Sequence, residues 1–207
     1  MGTDIKIAVL ASGRGSNFKA LAEATSDESF PAKTVLLMVD NPDAGALAYA
    51  SKSGIAAEVV DCGSRRGSMT PESSESMAEL CARHEIDLIC LAGFMRIVKG
   101  KLLDRYAGRM MNIHPALLPS FKGLDAQEQA VDYGVKLSGC TVHFVDKGID
   151  TGAIIIQKVV PIENDDTAES LSIKILREEH RAYPEAVRLF AEKRLKIRER
   201  RVFIDDE

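Results

Sequence analysis

Four short apolar runs, IKIAVLAS (5–12), TVLLMVD (34–40), AAEVVD (56–61) and DLICLAG (87–93), are separated by segments of a different period. In SNFKALAEAT, AGALAYASKSG and ESSESMAELCARHE the apolar residues recur at helical spacing, with polar caps at the start and glycine or polar stops at the end. A strand apolar on both faces must be covered on both faces, which a parallel sheet flanked by crossover helices provides. The alternation therefore predicts a doubly wound α/β first half.

The rhythm changes after residue 100. RMMNIH (109–114) reads as one more strand, while KLSGCTVHFVD (136–146) and AIIIQKVVPI (153–162) read as two neighbouring strands. AESLSIKILREEHRAYPEAVRLFAEK has the period of a long terminal helix, which Pro184 is expected to interrupt. Antiparallel additions to the mostly parallel sheet are thus expected in the C-terminal half. Segment 62–76, CGSRRGSMTPESSES, is rich in serine with glycine and proline and reads as a mobile surface loop. No internal repeat is present, and 207 residues with 45% hydrophobic content suit a single domain spanning 1–207.

A net charge of -4 disfavours a dedicated nucleic-acid binder, which needs a basic excess to neutralise phosphates. KRLKIRERR (193–201) is the one basic cluster, and it reads as a solvated helix end followed by an edge strand. Cys62, Cys81, Cys90 and Cys140 lack paired spacing and no signal peptide precedes the first run, so free thiols in a reducing cytoplasm are expected. Cys90 and Cys140 sit in apolar runs and read as small buried hydrophobes. No apolar run approaches the roughly 18 residues of a membrane span. The four histidines show no ligand spacing, so no metal is expected.

Three motifs could carry chemistry. SGRGSN (12–17) follows the first strand and opens the first helix, where backbone N–H groups and the helix dipole suit a phosphate. It is a poor dinucleotide fingerprint, because Phe18 stands where a third glycine belongs, although Asp40 lies at about the right distance for a ribose. The alternative is a tight turn with Ser16 as N-cap. In MNIHPALLPSFKG, Asn112 and His114 are two apart on a strand and so share a face, ahead of chain-breaking prolines. They could converge on a reacting atom, or pin the prolyl loop. In HFVDKGIDTG, Asp146 and Asp150 lie among glycines that would let a loop fold over a ligand, leaving a carboxylate to partner His114.

Taken together, SGRGSN, LAGFMRI, MNIHPALLPSFKGLDAQEQA, GCTVHFVDKGIDTG and REEHRAYP resemble the phosphoribosylglycinamide formyltransferase family of purine synthesis, in order and across nearly the whole chain. The resemblance implies a Rossmann-like formyltransferase fold, with a phosphate-substrate half at 1–100 and a folate and catalytic half at 101–207. It implies transfer of formyl from N10-formyltetrahydrofolate, as co-substrate, to the amine of phosphoribosylglycinamide through a tetrahedral intermediate. The family's catalytic groups fall on Asn112, His114 and Asp150. Asn112 would donate to the oxyanion, and Asp150 would raise the His114 pKa so that an imidazolium serves as acid.

By the same resemblance, Gly15, Ser16 and Asn17 would bind substrate phosphate and Glu179 its ribose, with a helix-surface pair to Arg177 or Arg181 as the alternative for Glu179. Met95, Arg96, Ile97 and Val98 would contact folate, together with Asn112 and the loop Asp146, Lys147, Gly148, Ile149 and Asp150. Small-molecule substrates are the implied partners, with neither nucleic acid nor membrane, and a homodimer is left open. The chain departs from the family at SRRGSMTPESSES, where counting places Thr70 at a folate-reaching arginine position and Arg65 and Arg66 upstream. Asp125 and Gln127 stand where some relatives have histidine. Methionyl-tRNA formyltransferase would require a different segment after the second proline and a tRNA-binding domain. Formyltetrahydrofolate hydrolase would bring an N-terminal regulatory domain. A folate- or nucleotide-binding regulator would not need all of Asn112, His114 and Asp150.

Overall fold

A computed structural model describes residues 4–63 and 67–205. The chain forms two compact units, Met1–Met111 and Asn112–Glu207. In the first, β1 (Ile5–Ala11), α1 (Ser16–Ala24), β2 (Ala32–Val39), α2 (Ala46–Ser53) and β3 (Ala56–Val59) follow one another as the spacing predicts. They are followed by β4 (Gly67–Ser68), α3 (Pro71–Arg83), β5 (Leu88–Leu91), β6 (Arg96–Ile97) and α4 (Lys101–Arg105). The strand order is β5-β1-β2-β3, all parallel, as expected for strands joined by crossover helices.

Burial follows position in this sheet. Ile7–Ala11 of β1, Leu36–Val39 of β2 and Leu88–Cys90 of β5 are buried, whereas β3 is exposed along its length. Phe18 of α1 is fully buried and meets Tyr49 edge to face at 5.8 Å between centroids. Burial of that ring contributes about 1.5–3 kcal/mol. It also fills the place where a dinucleotide fingerprint needs a glycine for close helix-to-strand packing.

Segment 62–76 is not one loop. Thr70 caps α3 by accepting the Ser73 amide at 3.1 Å, and Pro71 sits at the first helical position, where its missing N–H costs nothing. Ser73 and Ser74 are buried, so the serines from 73 to 76 belong to a helix rather than to a mobile loop.

Strand β7 (Met110–His114) carries the chain into the second unit. There follow α5 (Ala126–Tyr133), β8 (Leu137–Phe144), β9 (Ile154–Pro161), α6 (Ala168–Ala191) and the hairpin β10 (Leu195–Arg198) and β11 (Arg201–Ile204). β8 and β9 pair antiparallel, β11 runs parallel to β9, and β10 and β11 are antiparallel. The fold is thus mixed α/β, Rossmann-like and mostly parallel in its first half, with antiparallel additions in the second. The basic run 193–201 starts after α6, which ends at Ala191, so it holds no helix end; it contains the expected strand β10 and opens β11 at Arg201.

Pro184 does not interrupt α6, which continues to Ala191. Proline removes one backbone bond there, yet Leu171, Ile175, Ala182, Tyr183, Ala186 and Val187 are fully buried along the helix. Their packing holds the helix across the defect. Its start is fixed by a capping box in which Thr167 accepts the Ser170 amide and Ser170 Oγ accepts the Thr167 amide. Among the described residues no helix is long and apolar enough to cross a membrane.

Candidate active site

The second unit assembles the three catalytic candidates. Asn112 and His114 leave β7 on one face, two residues apart, with His114 buried. Asp150 reaches them from the loop between β8 and β9. Its Oδ2 lies 3.4 Å from His114 Nδ1, and its Oδ1 lies 3.5 Å from Asn112 Nδ2, which donates. Gly123 N–H donates to Asp150 Oδ2 at 2.8 Å and fixes the carboxylate. Asp150 holds a left-handed backbone, φ 50°, uncommon outside glycine and a way of re-aiming a side chain.

The loop that delivers Asp150 is built from its own polar groups. Asp146 Oδ1 accepts from Gly148 N at 3.0 Å and from Thr151 Oγ1 at 2.5 Å, leaving Lys147 and Ile149 exposed. Gly152 closes the loop: a Cβ there would stand 1.7 Å from the Phe144 carbonyl oxygen. No side chain fits at that position.

A fourth residue joins the cluster that the sequence reading did not single out. His143 of β8 is buried, its Nδ1 is 2.8 Å from the Phe144 carbonyl oxygen, and its Nε2 is 3.2 Å from Asn112 Nδ2. The carbonyl demands a proton on Nδ1, so Nε2 presents a lone pair to the Asn112 amide. It also lies 3.7 Å from Asp150 Oδ1. Alternation along the predicted strand gave no sign of this, because a buried histidine in an apolar run looks like core.

His114 is likewise gripped at both nitrogens, with Nε2 2.8 Å from the Phe121 carbonyl oxygen. Burial pulls its pKa below the ordinary 6.5, and the opposing effects of Asp150 and the Phe121 carbonyl do not outweigh it. This reverses the expected upward shift, because desolvation of the buried ring is the larger influence. At Asp150 burial pushes the pKa upward, but the adjoining His143 ring, the Gly123 amide and His114 together bring it below 3.8. The carboxylate is ionised at neutral pH.

The prolyl loop is pinned elsewhere. Thr141 Oγ1 donates to the Ala116 carbonyl and accepts from Leu118 N, and Gln157 Nε2 donates to the Leu118 carbonyl. The His114 contact with Phe121 adds to that clamp, so pinning and presentation are both served.

Glu179 lies buried on α6, and Arg181 pairs with Glu178 at 3.1 Å. Asp125 begins α5 in a left-handed conformation without a side-chain cap, and Gln127 is half-buried.

In the first unit, α1 is capped by Gly15, not by Ser16. Gly15 has φ 76°, and a Cβ on it would approach Ala46 Cβ to 2.6 Å. Ser16 is the first helical residue and Asn17 is buried. In the 95–98 segment, Arg96 Nε donates to Asp40 Oδ2 at 2.6 Å, both side chains being mostly buried. Asp40 is thereby engaged by a cation rather than left open for a ribose. Met95 and Ile97 are exposed and Val98 is buried; the Met95 N–H and the Ile97 carbonyl are already bonded, to Ser12 Oγ and to Met69 N. Thr70 is used as a helix cap, and Arg65 and Arg66 lie outside the described residues. No cluster of three or more His, Cys, Asp or Glu is placed to hold a metal among the described residues.

The second unit of this mixed α/β fold thus brings together Asn112, Asp150 and the buried His114. The chain belongs to the formyl transferase family, whose model matches residues 5–187. It is 41% identical over 183 residues to phosphoribosylglycinamide formyltransferase of Bacillus subtilis, covering 88% of this chain and 93% of that protein. The crystal structure of glycinamide ribonucleotide transformylase 1 from Symbiobacterium toebii superposes with a TM-score of 0.94 at 45% identity, covering 100% of this chain and 96% of that one. The chain also resembles the trifunctional purine biosynthetic protein adenosine-3 of Gallus gallus, 42% identical over 187 residues, and spans 18% of that relative's length.

Proposed function

We propose that the chain transfers the formyl group of N10-formyltetrahydrofolate to the glycine amine of 5-phosphoribosylglycinamide, giving formylglycinamide ribonucleotide and tetrahydrofolate. The reading rests on one observation above the others, the convergence of Asn112, His114 and Asp150 within hydrogen-bonding or ion-pair range in a member of this family. The amine nitrogen bonds to the formyl carbon, the oxygen takes up negative charge, and collapse breaks the bond from carbon to folate N10. The amine loses one proton and N10 gains one.

His114 suits that proton transfer. With Nε2–H donated to the Phe121 carbonyl, its lone pair lies on Nδ1, facing Asp150 Oδ2. Burial keeps the ring neutral and able to accept the amine's proton, and the carboxylate stabilises the imidazolium so formed until N10 receives the proton. Asn112 donates to the oxyanion by exchanging one of its two amide contacts, to His143 or Asp150. The His143 lone pair orients that amide.

The SGRGSN loop, through Gly15, Ser16 and Asn17, is assigned to the substrate phosphate, Glu179 to its ribose, and 95–98 with 146–150 to folate. All four cysteines are free and buried, which suits a reducing cytoplasm. A homodimer is compatible with this reading.

The test mixes purified protein with 10-formyltetrahydrofolate, with and without phosphoribosylglycinamide, and follows deformylation by absorbance. Loss of formyl-folate only with the amine present is expected. Loss without it makes the protein a hydrolase, and no loss in either mixture overturns the reading.

A further inference from the structure

Ser12, the residue after β1, touches two segments to which different ligands are assigned above. Its backbone N–H donates to the Gly93 carbonyl at 3.1 Å, and its Oγ accepts from Met95 N–H at 2.8 Å. One residue thus holds both ends of the three-residue turn that leads into 95–98. Ser12 is itself the first residue of the SGRGSN loop assigned to the phosphate, and Gly13 follows it. Gly13 O accepts from Ala46 N at 3.3 Å, and Gly15 packs on Ala46 too closely for a Cβ. The loop therefore has little freedom to move without Ser12.

The 93–99 segment is anchored again further along. Arg96 is fixed to Asp40, β6 pairs with β4, and the Lys99 carbonyl accepts from Ser74 Oγ at 2.6 Å. These contacts hold its far end, while at its near end the Ser12 N–H holds Gly93 and the Ser12 hydroxyl holds the Met95 amide. Met95 is exposed, so without Ser12 its amide would turn to water rather than to a second protein acceptor.

We propose that Ser12 is a positioning residue that ties the phosphate loop to the 95–98 segment, so that seating the phosphorylated substrate tightens the binding of folate. This rests on the ligand assignments of the proposed function. By linkage the effect is reciprocal: each ligand raises the affinity for the other by the same factor. A hydrogen bond from a main-chain amide is stiff and directional, and it transmits displacement of β1's end straight to the backbone at Met95.

Tetrahydrofolate and phosphoribosylglycinamide cannot react with each other, so their linkage is measurable at equilibrium. Calorimetric titration of tetrahydrofolate, with and without saturating phosphoribosylglycinamide, should give a wild-type affinity ratio of about five or more, within the usual range of coupling between sites. Ser12→Ala should bring the ratio close to one, and Ser12→Thr, which keeps the oxygen, should retain it. Ser12→Cys, near in size and a weak acceptor, carries the same test should the alanine variant not fold. A wild-type ratio of one, or a ratio unchanged in Ser12→Ala, overturns the proposal. Failure of either ligand to bind the wild-type protein overturns the ligand assignments themselves, and is distinct from both.

Discussion

Asp150 Oδ2 faces His114 Nδ1 at 3.4 Å while accepting the Gly123 amide at 2.8 Å. One carboxylate oxygen thus joins the imidazole to the loop after β7. The second oxygen meets Asn112. The charge and orientation of this group are therefore felt by both other members of the cluster.

Asp150→Asn keeps an oxygen for Gly123 but loses the charge opposite His114. Turnover should fall about 10²–10³-fold, the usual cost of losing a preorganised electrostatic contact, with folate affinity changing far less. Steady-state kinetics and binding measured on the same preparation check this. A rate near that of wild type would sink the assigned mechanism.

Acid should destabilise the protein in two steps. His114 is lowered below 6.5, so between that value and its folded pKa the unfolded chain binds more protons, and stability present above pH 6.5 is lost as pH falls through the folded pKa. Asp150 is lowered below 3.8, so its contribution is lost in the same direction but in a more acidic window. Melting temperature followed against pH should show both, and His114→Asn should flatten the first while the second persists with a smaller downward shift, His114 being one of the groups that lower Asp150. A His114→Asn curve parallel to wild type from pH 6.5 to the carboxylate range would contradict the assignment.

His143 acts through Asn112. His143→Ala removes the acceptor for the Asn112 amide, and kcat should drop about 10- to 100-fold, the equivalent of one misdirected hydrogen bond. Folate Kd should change much less. Equal losses in kcat and affinity would instead mark a general collapse of the pocket around β8.

The phosphate assignment is best probed at Ser16. A substitution at Gly15 would meet Ala46 and carry φ 76°, so Gly15→Val should lower the melting temperature whatever the loop binds. Ser16→Ala leaves the backbone untouched and should weaken phosphoribosylglycinamide binding severalfold, with tetrahydrofolate affinity measured alone unchanged. Unchanged affinity for the phosphorylated substrate would remove Ser16 from the site.

Much of this was legible before any coordinates. The apolar runs at 5–12, 34–40 and 87–93 and their helical spacers gave the parallel half, and the strand periods at 136–146 and 153–162 gave the antiparallel addition. Asn112 and His114 could be placed on one face because strand side chains alternate. The motifs shared with the formyltransferases brought in Asp150.

What local pattern could not supply was the balance of non-local effects. Pro184 should end a helix, yet the buried face of α6 carries it through. The serines of 62–76 look mobile, yet Thr70 and Pro71 start a helix there. A carboxylate beside His114 should raise its pKa, yet burial lowers it. His143 is silent in sequence because its role depends on Asn112, 31 residues away in the chain. The sequence by itself determined the order of elements and the identity of the chemical groups, since these depend on local period and residue type. Only the tertiary structure decided the cap at Gly15, the grip of Ser12 on Met95 and the downward direction in which burial moves the His114 pKa. Each of these is set by atoms from distant parts of the chain competing with water for the same contact.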